Sequence, residues 1–268
     1  MQKRGEFVKG LIFKDILCLK KQFIVYCYVL IGTLAVSVMF VLSARFGNLA
    51  DVNAVMLAEN QMEPEDIKNM ASLALIMFML LPLAGVGDTL ITYEQDGKAG
   101  FYKLASTFPI PLYKRILSRF LSVFAILGIG IIFDTAIAAL LSCLTDIMTF
   151  SEFMGVILSA ASVLAIDASL AILYSNMLGY GKSTYVQILS LITMIMGYVL
   201  IRFEKIKEII TNIVSVNVED NAISMDRFWD FMDIIKHKAG ILLALALTVM
   251  IVSYIITCIM AKRKRGVF

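Results

Sequence analysis

TYEQDGKAGFYKLASTFPIPLYKRILSR, residues 92–119, is the longest polar-rich interruption on one side of an otherwise apolar chain. It reads as a short amphipathic helix, a break at Pro109 and Pro111, and a basic return at Lys114, Arg115 and Arg119. Apolar runs of about 20 residues flank it, the length a helix needs to cross the hydrocarbon layer. The stretch is therefore a loop between two membrane segments, and the rest of the chain is read outward from it.

Composition supports that frame. Of 268 residues, 60% are hydrophobic and 17% charged, too apolar for one soluble core. Six apolar segments follow one another at residues 23–42, 70–91, 120–141, 154–178, 184–201 and 239–261. Helices are expected, because backbone groups in lipid must be satisfied within their own segment. Strand-like alternation is absent. The expected fold is an all-α integral membrane protein forming one transmembrane domain over residues 1–268. The first apolar run lies behind a long charged stretch and is too long for a signal-peptide core, so no cleavable leader is expected.

The basic residues give the orientation. With the N-terminus inside, the inner segments carry 16 Lys and Arg and the outer segments 8. The positive-inside rule then places both termini in the cytoplasm. Residues 1–22 combine Lys3, Arg4, Lys9, Lys14, Lys20 and Lys21 with Phe7, Val8, Leu11, Ile12, Ile16 and Leu19 at helical spacing. That pattern fits an amphipathic helix lying in the membrane surface. The outer loop at residues 202–238 carries two further amphipathic stripes. They are expected to dip into the outer interface or cap the bundle, with Trp229 as an interfacial anchor.

Several motifs bear on chemistry. GYGKST at residues 179–184 ends like a phosphate-binding loop, but Asn176 stands where that pattern needs glycine, and a membrane segment precedes it where a strand is required. A short inner turn is expected instead. GVGD, ending at Asp88, has the form found in intramembrane aspartyl proteases, which pair two carboxylates. The other membrane acids come later and no Pro-Ala-Leu follows, so Asp88 is read as an acid near the inner end of a helix. His237 is the sole histidine and offers no triad and no second imidazole. The scattered Cys18, Cys27, Cys143 and Cys258 suit neither metal nor disulfide. No catalytic residue, cofactor or metal is expected in this chain, and no nucleic-acid partner.

Asp134 and Asp167 fall near the middle of their apolar spans. An aspartate there costs about 2.5–3.5 kcal/mol on insertion scales. Three roles are open: a proton or cation pathway, the lining of a polar translocation cavity, or a bond to another helix or subunit. Pro82, within the second segment, removes a helix hydrogen bond and invites a kink, useful for motion or purely structural.

Within the loop, Phe101, Leu104, Ala105 and Phe108 share one helical face, suited to filling a partner's groove or lying on headgroups. Glu94, then Gly97, then Phe101, Lys103 and Leu104, then Phe108 and Pro109, then Lys114, Arg115 and Ile116 resemble the segment after the second membrane helix of ABC-2 type transporter permeases. The chain departs from that pattern at residues 109–113, where Pro-Ile-Pro-Leu-Tyr replaces Pro-Val/Ile-Ser-Arg. Its size, six segments, basic N-terminal helix and long last outer loop are similar to the small bacterial permeases of phenol-soluble modulin and antimicrobial peptide exporters. The resemblance implies a homodimer, or close heterodimer, with two cytosolic ABC ATPases that bind ATP and Mg. It implies a coupling helix in which Glu94, Phe101, Tyr102, Lys103, Leu104, Phe108 and Pro109 meet the ATPase. It further implies export of an amphipathic substrate, such as a peptide, across the bacterial cytoplasmic membrane. The alternative is a stand-alone secondary transporter working through Asp134 or Asp167.

Overall fold

In a computed structural model, the described residues are 10, 13, 20–46, 76, 80–83, 111–144, 149–179, 182–201 and 225–265. Five helices account for most of them: α1 (Lys20–Phe46), α2 (Leu112–Leu144), α3 (Phe150–Leu178), α4 (Ser183–Ile201) and α5 (Met225–Arg265). Among the described residues there is no strand. Three stretches are long and apolar enough to cross a membrane: Leu112–Leu144, Phe150–Leu178 and Lys238–Arg263. Ile24–Met39 and Ser183–Val199 are shorter apolar helices. The chain is thus helical and membrane-type, as its composition implies.

α3 is the centre of the bundle. Its apolar window is 61% buried, against 33% for α2 and 17% for α5. The reason lies in its side chains. Ala161, Ala165, Ala168 and Ala171 are buried together with Ser159, Ser162, Ser169 and Ser175. Small residues let neighbouring helices approach closely where no hydrophobic effect drives them together. Their hydroxyls do not stay unsatisfied in this apolar setting. Ser162 donates to the Leu158 carbonyl and Ser169 to the Ala165 carbonyl, each at 2.6 Å. α5 packs most extensively along α3, while α2 and α4 take its other sides.

Both ends of α3 are fixed by local chemistry. Thr149 is the N-cap, and Glu152 returns the bond: Thr149 N–H donates to Glu152 Oε2 at 2.8 Å, and Glu152 N–H donates to Thr149 Oγ1 at 3.4 Å. This reciprocal box satisfies two donors that a helix start leaves free. At the other end Gly179 takes φ 88°, open to glycine, and its N–H donates to the Ser175 carbonyl. α3 ends at Leu178 and α4 begins at Ser183, so the phosphate-loop-like GYGKST falls where one helix gives way to the next. The element that leads into it is a helix, not the strand a phosphate-binding loop requires.

Two boundaries differ from the sequence expectation. α2 starts at Leu112, so Lys114, Arg115 and Arg119 ride on its first turns and are helical, not part of an irregular loop. With 33 residues it is about 50 Å long, which exceeds the roughly 30 Å hydrocarbon layer. The basic turns therefore extend beyond the apolar zone. Residues 225–237, expected as a separate amphipathic helix that dips into the interface or caps the bundle, instead form the beginning of the 41-residue α5. A helix continuous with a membrane span carries this segment about 20 Å beyond the span. Gly240 is the only weak helix former at the junction, and one glycine does not stop a helix with strong formers around it.

One end of the bundle gathers basic residues. Near the N-terminus of α2, Phe120 meets Tyr254 of α5 edge-to-face with centroids 5.8 Å apart. The Tyr254 hydroxyl also donates to the Tyr113 carbonyl at a long 3.4 Å. α5 thus runs antiparallel to α2, and its Lys262 and Arg263 end lies toward Lys114, Arg115 and Arg119. Lys182, in the turn after α3, falls at the same end. These are segments assigned to the inner side by charge.

Candidate functional site

The site builds up from Gly130 on α2. A Cβ placed there would meet Leu83 Cδ2 at 3.1 Å, the Pro82 carbonyl oxygen at 3.2 Å and the Tyr26 hydroxyl at 3.3 Å. A side chain there would push these neighbours back by a few tenths of an ångström, and glycine avoids that cost. Three separate parts of the chain converge here: α1 through Tyr26, residues 80–83, and α2.

The backbone at Pro82 explains why its carbonyl is available. Leu80 N–H donates to the Ile76 carbonyl at 3.1 Å, as in an α-helix. Residues 81–83 then tighten into a 3-10 turn, with Leu83 N–H on the Leu80 carbonyl at 3.2 Å. Proline has no N–H to continue the ladder. The Pro82 carbonyl instead accepts the Tyr26 hydroxyl, a buried bond spanning 56 positions. The helix ladder is thus interrupted at residues 81–83, and the Pro82 carbonyl is pinned from outside its own segment.

Asp134 lies one helical turn beyond Gly130 and so on the same face of α2. It is fully buried, and neither Oδ1 nor Oδ2 has a hydrogen-bond partner among the described residues. Its surroundings on α2 are apolar: Ile137, Ala138 and Leu141 are 0% exposed and pack on Phe153, Val156 and Ile157 of α3. Buried polar groups are nearly always paired, so packing alone does not account for an orphaned carboxyl.

Asp167 differs. On α3 and only part-buried, it accepts a 2.7 Å hydrogen bond from Ser190 of α4. Further along the same interface, the Tyr174 and Thr193 hydroxyls are 2.7 Å apart. Asp167 is thus a polar contact between helices, one of the roles open to it from sequence. The two aspartates do not form a carboxylate pair, since Asp167 has its own partner across α3 and α4.

Asp88 and the loop residues Glu94, Phe101, Tyr102, Lys103, Leu104, Phe108 and Pro109 lie outside the described residues. So do most of residues 1–22 and all of 202–224. Sequence reasoning singled out Asp134, Asp167 and Pro82 but not Tyr26, Gly130 or Ser190. An ordinary tyrosine, glycine and serine in apolar helices carry no local signal for a tertiary contact. Compared with known proteins, the chain matches no family profile, no curated protein and no solved structure.

Proposed function

We propose that this chain is the membrane-embedded permease subunit of an ATP-driven exporter in the bacterial cytoplasmic membrane. It crosses six times with both termini in the cytosol, pairs with a second copy, and is driven by two separate cytosolic ATPases that bind ATP and Mg. The substrate is amphipathic, of the peptide class.

The observation that carries this reading is how the loop at residues 92–111 is attached. It leaves the segment containing Pro82 and returns as the first turn of α2. These two flanking segments are clasped at Gly130, Leu83 and Pro82. A force applied to the loop is therefore delivered to a tight joint inside the bundle. Nucleotide-dependent contacts on Phe101, Leu104 and Phe108 would bias that joint, which is what coupling requires. Phe101→Asp and Leu104→Asp are expected to strip the ATPase from the complex purified from its native membrane. Retention of stoichiometric ATPase by the double variant removes the proposal.

The orphaned carboxyl of Asp134 favours a second reading, a secondary transporter. Transport by this chain alone in liposomes, driven by a proton gradient without ATP, selects it over the first.

A further inference from the structure

We propose that Asp134 is a proton-binding site that latches the joint between Tyr26, Pro82 and Gly130. With its proton in place the carboxyl is tolerated in the closed packing. Loss of the proton opens the joint. This inference does not rest on an ATPase partner and stands or falls separately from it.

Three observations converge. First, Asp134 is 0% exposed with both oxygens unpartnered among the described residues. A buried carboxylate without a counter-charge or donor is among the most unfavourable groups a fold can hold, while the neutral acid is far less so. Second, no positive group faces it among the described residues. From α1 the facing group is Tyr26, with Cys27 beside it in the chain. Residues 80–83 present no titratable side chain. α2 itself carries none between Arg119, four turns earlier, and Cys143, nine residues later. α3 carries none between Glu152, tied into its capping box, and Asp167, bonded to Ser190. α5 carries none between Lys238, which is exposed, and Tyr254, which sits at the far end against Phe120. Third, a Cβ added at Gly130, one turn away, would meet its neighbours at 3.1–3.3 Å, so the joint has no spare room even for a methyl group. Packing this tight leaves no room for a hydrated metal cation, whereas a proton needs none.

The Tyr26 hydroxyl already spends its hydrogen on the Pro82 carbonyl. It has none left to stabilise a carboxylate on the neighbouring turn. Ionised Asp134 therefore needs water, and water reaches it only if the joint parts. On opening, the proton passes from the carboxyl to that water. On closing, one is taken back. The sign follows from linkage: the closed form binds one more proton, so raising the pH favours opening, by about tenfold per pH unit while closed molecules dominate.

The test uses full-length protein in lipid nanodiscs. Infrared spectra at neutral pH are expected to show the C=O band of a protonated carboxylic acid, shifted by isotope-labelled aspartate and missing from Asp134→Asn but kept by Asp167→Asn. Leu83→Cys, in protein whose native cysteines are replaced, then reports opening through labelling by a small permeant maleimide. With Asp134 the rate is expected to climb about tenfold more per pH unit than with Asp134→Asn, where only the thiol's own ionisation remains. Parallel slopes overturn the proposal. So does the lack of an Asp134-dependent acid band, which is read on protein with its native cysteines. A thermal midpoint raised by Na+ or K+ only when Asp134 is present overturns it as well, because the ligand is then a metal cation.

Discussion

Replacing Gly130 by alanine isolates the joint energetically, because α2 provides its own control. A methyl group added at Gly128, two residues earlier on the same helix, would meet nothing within 4 Å, while one at Gly130 would meet three atoms at 3.1–3.3 Å. Both substitutions gain the helix propensity of alanine over glycine, about 0.8–1.0 kcal/mol per site in isolated helices. Gly128→Ala keeps that gain. At Gly130 the added methyl must displace its neighbours by a few tenths of an ångström. Leu83 Cδ2 is the end of a flexible side chain and yields. The Pro82 carbonyl is backbone, held by proline geometry and by the Tyr26 hydroxyl, and yields less. Overpacking of this kind costs about 1–3 kcal/mol. The two variants should therefore differ by that amount, with Gly130→Ala the less stable. The assay is thermal or denaturant unfolding of both variants in the same micelle. Adding Tyr26→Phe should shrink the difference, since the Pro82 carbonyl is then freer to move. Equal stability of Gly128→Ala and Gly130→Ala would show that the three segments do not meet as described.

Other outcomes follow from single contacts. Ser190→Ala removes the donor to Asp167 and should lower stability by about 0.6–1.7 kcal/mol, the range for hydrogen bonds between membrane helices; Asp167→Asn keeps an acceptor for Ser190 and should cost less in the same unfolding assay. Thr149→Ala removes the hydroxyl that accepts from Glu152 N–H and leaves the backbone half of the capping box, and should cost about 0.5–2 kcal/mol, with Thr149→Ser restoring most of it. Tyr254→Phe should be nearly silent, because the 3.4 Å bond it loses is long, whereas Tyr254→Ala loses the ring contact with Phe120 as well, worth about 0.5–1.5 kcal/mol beyond area. A melting curve that ranks the two Tyr254 variants in the opposite order refutes the antiparallel placement of α2 and α5.

What could be read from the chain divides by the range of the interaction. The boundaries of α3 are local chemistry: Thr149 three residues before Glu152, and Gly179 after the last apolar turn. Each is visible within a window of a few residues. The depth of Asp134 in its span is equally local. The partner of Asp167 is 23 positions away, and that of Pro82 is 56 positions away. No periodicity links such pairs. The continuity of α5 was hidden for another reason. Lys236, His237, Lys238 and Gly240 look like a boundary by composition, yet helix formation is governed by backbone cooperativity, and polar residues do not end a helix.

The contrast between the two aspartates is informative because their sequence settings are alike. Both lie in the middle of apolar helices, and insertion scales assign both the same penalty. Asp167 offsets that penalty with a neighbouring hydroxyl and ties α4 to α3. A lock of this kind is satisfied in one arrangement and gains nothing from movement. Asp134 has no such offset, so its penalty persists in the closed bundle and is relieved only by a proton or by opening. A group left in that condition lowers the cost of the open state relative to the closed one, and it does so at the joint where α1, residues 80–83 and α2 meet. The segments that this joint clasps are the two that flank the loop. Movement of the bundle at this point requires no deformation of α3, whose caps and small-residue packing hold it fixed. An opening of this joint would part α1 and residues 80–83 from α2, away from the extensive contact between α3 and α5.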